Sequence, residues 1–464
     1  MHSPVSADLE AHLDSTSARR LHWFEELLRI PSISGIPAHA GDCRRAAQAL
    51  ADELGRIGLQ HVSLEETGGH PIVYADWLHA PGAPTVLLYA HYDVQPVDPL
   101  DEWEATPFSP VRRDHRLLAR GASDDKSNIV VLIAALEALL AVRGELPLNV
   151  KLVFEGEEES SSVHLDPWLE ANRARLAADA AFVADSGFFL GNTPAVTVAL
   201  RGIMALEVLV KGPFQDVHSG EYGGAIANPV NALAGIVAAL KGADGRILVP
   251  GFYDDVVPLD ETGRGRLAAL PIDEEELRRE LGVTELVGEA GWTTLERVGA
   301  RPTLDVNGIW GGFSGEGTKT IIPGRAGAKI TCRLVADQRP ARVFELVRDY
   351  ILDIAPPGVT VTVTSQGGGL PISTSTDHPA TAAFADALEE TFGKPPLDVR
   401  QGGSVPVAAS FAAIVGLPVT VMGFMPPDGN FHAPNEWMDL RNLEGGIRTM
   451  IRFFEGYGEM AGPS

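Results

Sequence analysis

Five short stretches of this chain combine histidines and carboxylates in patterns that could hold cations. They are His91-Tyr-Asp-Val-Gln-Pro96, Gly121-Ala-Ser-Asp-Asp-Lys126, Glu155-Gly-Glu-Glu-Glu-Ser160, Asp185-Ser-Gly187 and His432-Ala-Pro-Asn-Glu436. Each alone has an ordinary structural use, since an Asp after a strand often caps a helix. Together, two histidines and several carboxylates aimed at one crevice would repel unless cations sat among them. Histidine mixed with Asp and Glu is also the donor set suited to zinc, manganese or cobalt. His91 and Asp93 stand two apart in an extended segment, so the carboxylate can hold one ring nitrogen while the other faces a metal.

The elements around these stretches explain how they could meet. Thr85–Ala90, Leu148–Phe154, Ala180–Ala184 and Pro418–Gly423 are short apolar runs of the kind that form buried parallel strands. Helical spacing covers Phe24–Ile30, stopping at Pro31, then Cys43–Ile57, Asn128–Val142, Asp166–Leu176, Ala380–Thr391 and Leu440–Tyr457. Strands alternating with helices predict a mainly parallel sheet with helices on both faces. In such a sheet ligands bind beyond the carboxyl ends of the strands, where the first, third, fourth and fifth stretches fall; the second precedes the Asn128–Val142 helix.

Between residues 198 and 380 the character changes. Ala205–Lys211, Gly327–Val335 and Val359–Thr364 read as strands, with helices at Pro229–Leu240 and Pro340–Ile354. That set predicts a smaller α+β unit with helices on one face of its sheet, while the Gly- and charge-rich stretch 244–316 gives no clear pattern. The expected architecture is one α/β domain built from 1–197 and 381–464, with 198–380 inserted into it.

Composition narrows the function classes. Lys and Arg total 37 against 62 Asp and Glu, a formal net charge of −25. That balance argues against nucleic-acid or anionic-membrane partners, which need a positive face. The longest apolar stretch, Ile129–Val142, is interrupted by Glu137 and falls short of the roughly 20 residues a membrane span needs. Two cysteines, Cys43 and Cys332, exclude a disulfide scaffold and suggest a reduced, cytoplasmic setting. The first residues lack a basic start followed by an apolar core, so no secretion signal is expected.

The order and spacing of His91-x-Asp93, Gly121–Lys126, Glu155-Gly-x-Glu-Glu-Ser160, Asp185, His218-Ser-Gly220 and His432 resemble the dinuclear-metal peptidase family of carnosinase-type dipeptidases, aminoacylase, succinyl-diaminopimelate desuccinylase and glutamate carboxypeptidase. The phrase His218-Ser-Gly-Glu-Tyr-Gly-Gly224 with Asn228-Pro229 is most similar to the dipeptidases. The resemblance implies a metallopeptidase domain with an inserted ferredoxin-like lid and dimerisation domain. It implies two divalent ions, zinc above all, bridged by Asp124, with His91 and Asp185 completing one site and Glu159 and His432 the other. Three ligand carboxylates against two divalent ions leave room for a bound hydroxide.

The resemblance further makes Glu158 the general base that activates a metal-bridging hydroxide, and Asp93 the residue that orients His91. Glu157 takes the variable place in the Glu-Gly-x-Glu-Glu frame. His218 would reach the oxyanion across a homodimer interface, and Arg333 and Ser404 would grip a free substrate carboxylate. A cis peptide is implied at Asp124–Asp125. Ser127 and Ser161 stand where the family often has Gly. The expected activity is hydrolysis of dipeptides or short peptides with a free C-terminus; the alternative is removal of an N-acyl group from an amino acid by the same chemistry.

Overall fold

The computed structural model describes residues 5–403 and 405–460, and two compact units divide the chain. The first takes the residues up to Val198, Thr374–Val399 and those from Val407 onward; the second takes Ala199–Ser373 and Arg400–Pro406. The sequence reading assigned all of 381–464 to the first unit, whereas the short stretch 400–406 groups with the second.

In the first unit, four neighbouring strands, Asn149–Glu155, Thr85–His91, Ala180–Ala184 and Val419–Met422, run parallel in that order. Leu88 stands opposite both Leu152 and Phe182. Antiparallel strands extend the sheet on either side: Ile72–Trp77 and Gln60–Glu65 beyond Asn149–Glu155, and Ala195–Leu200 beyond Val419–Met422. The parallel strands are buried almost throughout, as strands covered on both faces must be. Leu88 belongs to the core built with the helices Ala7–Leu28, Ala40–Arg56, Lys126–Arg143 and Leu440–Met460. Its neighbour Tyr89 points to the opposite face and meets Phe411 edge-on at 5.5 Å. The helix Lys126–Arg143 is apolar nearly all round and correspondingly buried, ending at Gly144 in the left-handed conformation.

The second unit contains an antiparallel sheet in the order Thr303–Gly311, Arg325–Leu334, Gly202–Lys211, Thr360–Gly369. Helix Pro229–Leu240 follows Gly202–Lys211, and helix Pro340–Asp353 precedes Thr360–Gly369, so the connection order is the ferredoxin-like split β-α-β. Along Gly202–Lys211 buried and half-buried residues alternate, and the buried face packs on both helices through Val208, Val210, Leu233, Ile236 and Val347.

Several boundaries differ from the sequence reading. The first helix begins at Ala7 rather than Phe24, and the predicted helix at Asp166–Leu176 ends at Asn172. The stretch 244–316 holds short helices at Glu261–Ala268, Glu274–Leu281 and Thr294–Gly299, and the edge strand Thr303–Gly311. These elements are short, and all but Thr294–Gly299 are mostly exposed, so no apolar period marks them. Among the described residues, no helix is long and apolar enough to cross a membrane.

Candidate metal centre

The carboxyl ends of the parallel strands bring the first unit's candidate residues together. His91 is the last residue of Thr85–His91 and is fully buried. Asp185 follows Ala180–Ala184 directly, and the turn Glu158–Ser160 begins three residues after Asn149–Glu155. His432 lies on the loop after Val419–Met422, with φ of +58°. Asp124 precedes the long helix, and its peptide to Asp125 is cis.

Asp124 stands between the two histidines. One of its oxygens is 3.0 Å from His91 Nε2 and the other 3.0 Å from His432 Nε2. His432 Nε2 is also 3.2 Å from a Glu159 oxygen. Ligand atoms of Asp124, Glu159 and His432 lie within 4.8 Å of one another, and so do those of His91, Glu158 and Asp185. The sequence reading paired His91 and Asp185 with Asp124 and kept Glu158 as a base; Glu158 here stands close enough to be counted with them.

The electrostatics explain what this donor set is suited to hold. Burial, reinforced by the charge of Asp185, pushes the Glu158 carboxyl up to about 9. Burial also raises Asp185, to about 7, with Asp124 and Glu159 adding to the rise. Hydrogen bonds to Asp124 and Glu159 lift His432 to about 10. For Asp124, burial works upward, but hydrogen bonds from His432 and His91 hold the carboxyl below its ordinary value. Four carboxylates and two imidazoles thus share one confined space. Two divalent cations would relieve this, and oxygen and imidazole donors in this ratio fit them.

The neighbours of these residues set their aim. Asp93 Oδ1 is 3.4 Å from His91 Nδ1, whose closer partner is the Asp93 carbonyl at 3.2 Å. The same carboxylate accepts the backbone N–H groups of Glu158 and Glu159 at 3.2 and 3.0 Å. Glu157 faces elsewhere and pairs with His164 at 2.7 Å. Asp125 accepts the His91 N–H at 3.0 Å and the Asn128 side-chain N–H at 2.7 Å. Asn128 in turn donates to the Ala184 carbonyl and accepts from Phe424 N–H. Lys126 is buried and donates to the Leu27 and Ile30 carbonyls at the end of the first helix; burial lowers its ammonium to about 7.

Sequence reasoning passed over Asp125, Asn128, Gln95 and Glu436. Gln95 donates to Glu159 at 2.7 Å. Asp125, Gln95 and Glu436 each carried a signal, standing inside one of the five candidate stretches, whereas Asn128 lies outside them. Ser127, one of the two departures from the family pattern, donates to the Ser123 carbonyl and stays with the Asp124 loop. Ser161 takes φ of +84°, a conformation glycine adopts more readily.

The remaining candidates lie in the second unit. His218 is exposed in the two-residue strand Val217–His218, and its Nδ1 accepts from Gly220 N–H. Arg333 is half-buried on Arg325–Leu334, opposite Thr303 and Ile203. Arg201 donates to the Gly402 carbonyl at 3.2 Å. Ser404 lies outside the described residues.

Comparison with known proteins agrees with this geometry. The profile of peptidase family M20/M25/M40 matches residues 87–456. The Cys-Gly metallodipeptidase of Candida albicans is 31% identical over 468 residues, with 96% of each chain covered. The human Beta-Ala-His dipeptidase is also 31% identical, covering 96% of this chain and 90% of its own. The crystal structure of human carnosine dipeptidase 1 superposes with a TM-score of 0.79 at 29% identity, covering 98% of this chain and 100% of that one. An M20 metallo-carboxypeptidase of Sulfolobus solfataricus gives 0.81 at 33% identity, covering 95% and 99%. With the donor residues gathered as described, the chain is a metallopeptidase, a hydrolase belonging to peptidase family M20/M25/M40.

Proposed function

We propose that this protein hydrolyses dipeptides or short peptides with a free C-terminal carboxylate, using two divalent ions, zinc foremost. The observation that carries the reading is Asp124, whose two oxygens each touch one histidine of a different donor group. The dipeptidase names of the relatives support the substrate class. His91, Asp124 and Asp185 would hold one ion, and Asp124, Glu159 and His432 the other. When bound, such ions polarise the scissile carbonyl and acidify the attacking water.

Glu158 then takes the water's proton and delivers it to the leaving amine. Burial and the Asp185 charge raise its carboxyl in the metal-free protein, and two bound cations would draw that value back down, leaving the ionised form free to accept a proton. Asp93 keeps His91 and the Glu158 turn in register through the bonds described above. Arg333 and Ser404 are assigned the substrate carboxylate, for which a guanidinium fork is well shaped. His218 is assigned the oxyanion, supplied from a second copy through the lid domain. Support for a homodimer comes from His218 itself, exposed in the inserted unit, and from the edge strand Thr303–Gly311 with exposed Ile309 and Trp310. A cytoplasmic setting is supported by two buried free thiols, Cys43 and Cys332.

The test is turnover of Ala-Ala-type dipeptides against N-acetyl amino acids by the metal-loaded enzyme. Faster cleavage of the dipeptides is expected. A clear preference for the acylated substrates would replace the peptidase reading with the amidohydrolase one.

A further inference from the structure

Glu436 has no assigned role in the reaction, yet it is completely buried beside the metal ligands. One carboxylate oxygen accepts from Ser123 N–H and Asp124 N–H, both at 2.9 Å. The other accepts from Gly121 N–H at 2.9 Å and from Arg120 Nη1 at 2.8 Å. Four donors therefore fill the roughly four acceptor positions a carboxylate offers. Burial raises the carboxyl's pKa, with Arg120 opposing; since every hydrogen-bond partner is a donor, the ionised form is the one that fits.

The surrounding backbone is tied in the same sense. The Glu436 carbonyl accepts from Ala119 N–H, and the Ser123 hydroxyl donates to the Trp437 carbonyl at 2.7 Å. The next three residues, Trp437–Asp439, pair with Arg116–Leu118. The segments 116–124 and 436–439 are thus fastened along their length, with Asp124 and Glu436 at the same end and His432 four residues before Glu436.

We propose that Glu436 is a positioning residue for metal binding: its carboxylate fixes the Asp124 loop to the loop that carries His432. The inference rests on the two-metal reading above. A buried Arg–carboxylate pair is weak evidence of stabilisation, and the positioning argument rests on the three backbone N–H groups of Gly121, Ser123 and Asp124 that the same carboxylate holds. Residues that orient ligands typically change metal affinity 10- to 100-fold when replaced. Glu436→Gln keeps the shape but turns an amide N–H₂ toward backbone N–H groups, so the Asp124 loop is released.

The experiment is stepwise titration of the metal-free chain with Co²⁺ or Zn²⁺ against a competing chelator, with circular dichroism and thermal melting of the metal-free forms alongside. In Glu436→Gln, at least one of the two binding steps is expected to weaken about 10- to 100-fold. Glu436→Asp, which keeps the charge but retracts it by one methylene, should fall between Gln and wild type. The double variant Arg120→Met, Glu436→Gln removes both buried charges together and keeps the test available if the single variant does not fold. Lower melting with both metal affinities unchanged would overturn the proposal and leave Glu436 a fold-supporting residue. A wild-type chain that binds no metal would instead overturn the two-metal reading itself.

Discussion

Glu157, Glu158 and Glu159 are the same side chain three times in a row, yet each meets different company. Glu157 pairs with His164, Glu158 stands with His91 and Asp185, and Glu159 with Asp124 and His432. The tight turn over Glu158–Ser160, held by the Asp93 carboxylate, fans the three apart. Glu158→Ala is expected to keep both metals, measured by elemental analysis, while kcat falls about 10²- to 10⁴-fold, the range of general acid–base catalysis. Full turnover by that variant would remove Glu158 as the base. The residue types and spacing alone left the triplet ambiguous, and only the family frame singled out its last two members. Asn128 and Asp125 were illegible for a different reason: apart from each other, their partners are backbone groups of Ala184, Phe424 and His91, which no side-chain pattern in the sequence announces.

At the level of elements, the strands that carry the site were legible because buried parallel strands are short, continuous and apolar. Ala180–Ala184 matched its predicted bounds, and Thr85–His91 ran one residue longer than predicted, ending on His91 itself. The edge strand Thr303–Gly311 was missed because most of its residues are exposed and its burial does not alternate. The loop ends are where backbone contact is tightest. A Cβ on Gly423 would lie 1.8 Å from the Ser186 carbonyl oxygen, with the Ser186 carbonyl carbon and amide nitrogen within 3 Å. Backbone cannot rotate away as a side chain can, so the strand end bearing Asp185 must move. Gly423→Ala should therefore lower the melting temperature and weaken metal uptake together, read by calorimetry and by chelator competition. Wild-type values for both would show that the contact relaxes without reaching Asp185.

For the molecule as a whole, the clustered carboxyls make stability depend on metal and pH. In the metal-free protein Asp185 is raised to about 7 and Glu158 to about 9. A carboxyl raised on folding binds more protons in the folded state, so its stabilisation is complete at acid pH and fades as pH climbs through the raised value. His432, raised to about 10, acts in the same direction. The chelator-treated protein should accordingly melt at progressively lower temperature between about pH 5 and 9. Metal requires these groups deprotonated, so the stabilisation on loading should grow with pH over that range. Equal melting of loaded and metal-free protein across the range would contradict a metal held by these residues.

The first unit also draws on segments from either side of the inserted unit: His91, Asp124, Glu158 and Asp185 come before it and His432 and Glu436 after it. During synthesis His91, Asp124, Glu158 and Asp185 are therefore made before the whole of the inserted unit. The parallel strand Val419–Met422, which borders the Asp185 strand, and His432 follow only after that unit. A nascent chain arrested before that strand therefore carries a gathering of acidic groups that lacks its last imidazole, and ribosome-bound intermediates of this kind should capture zinc far more weakly than the released protein.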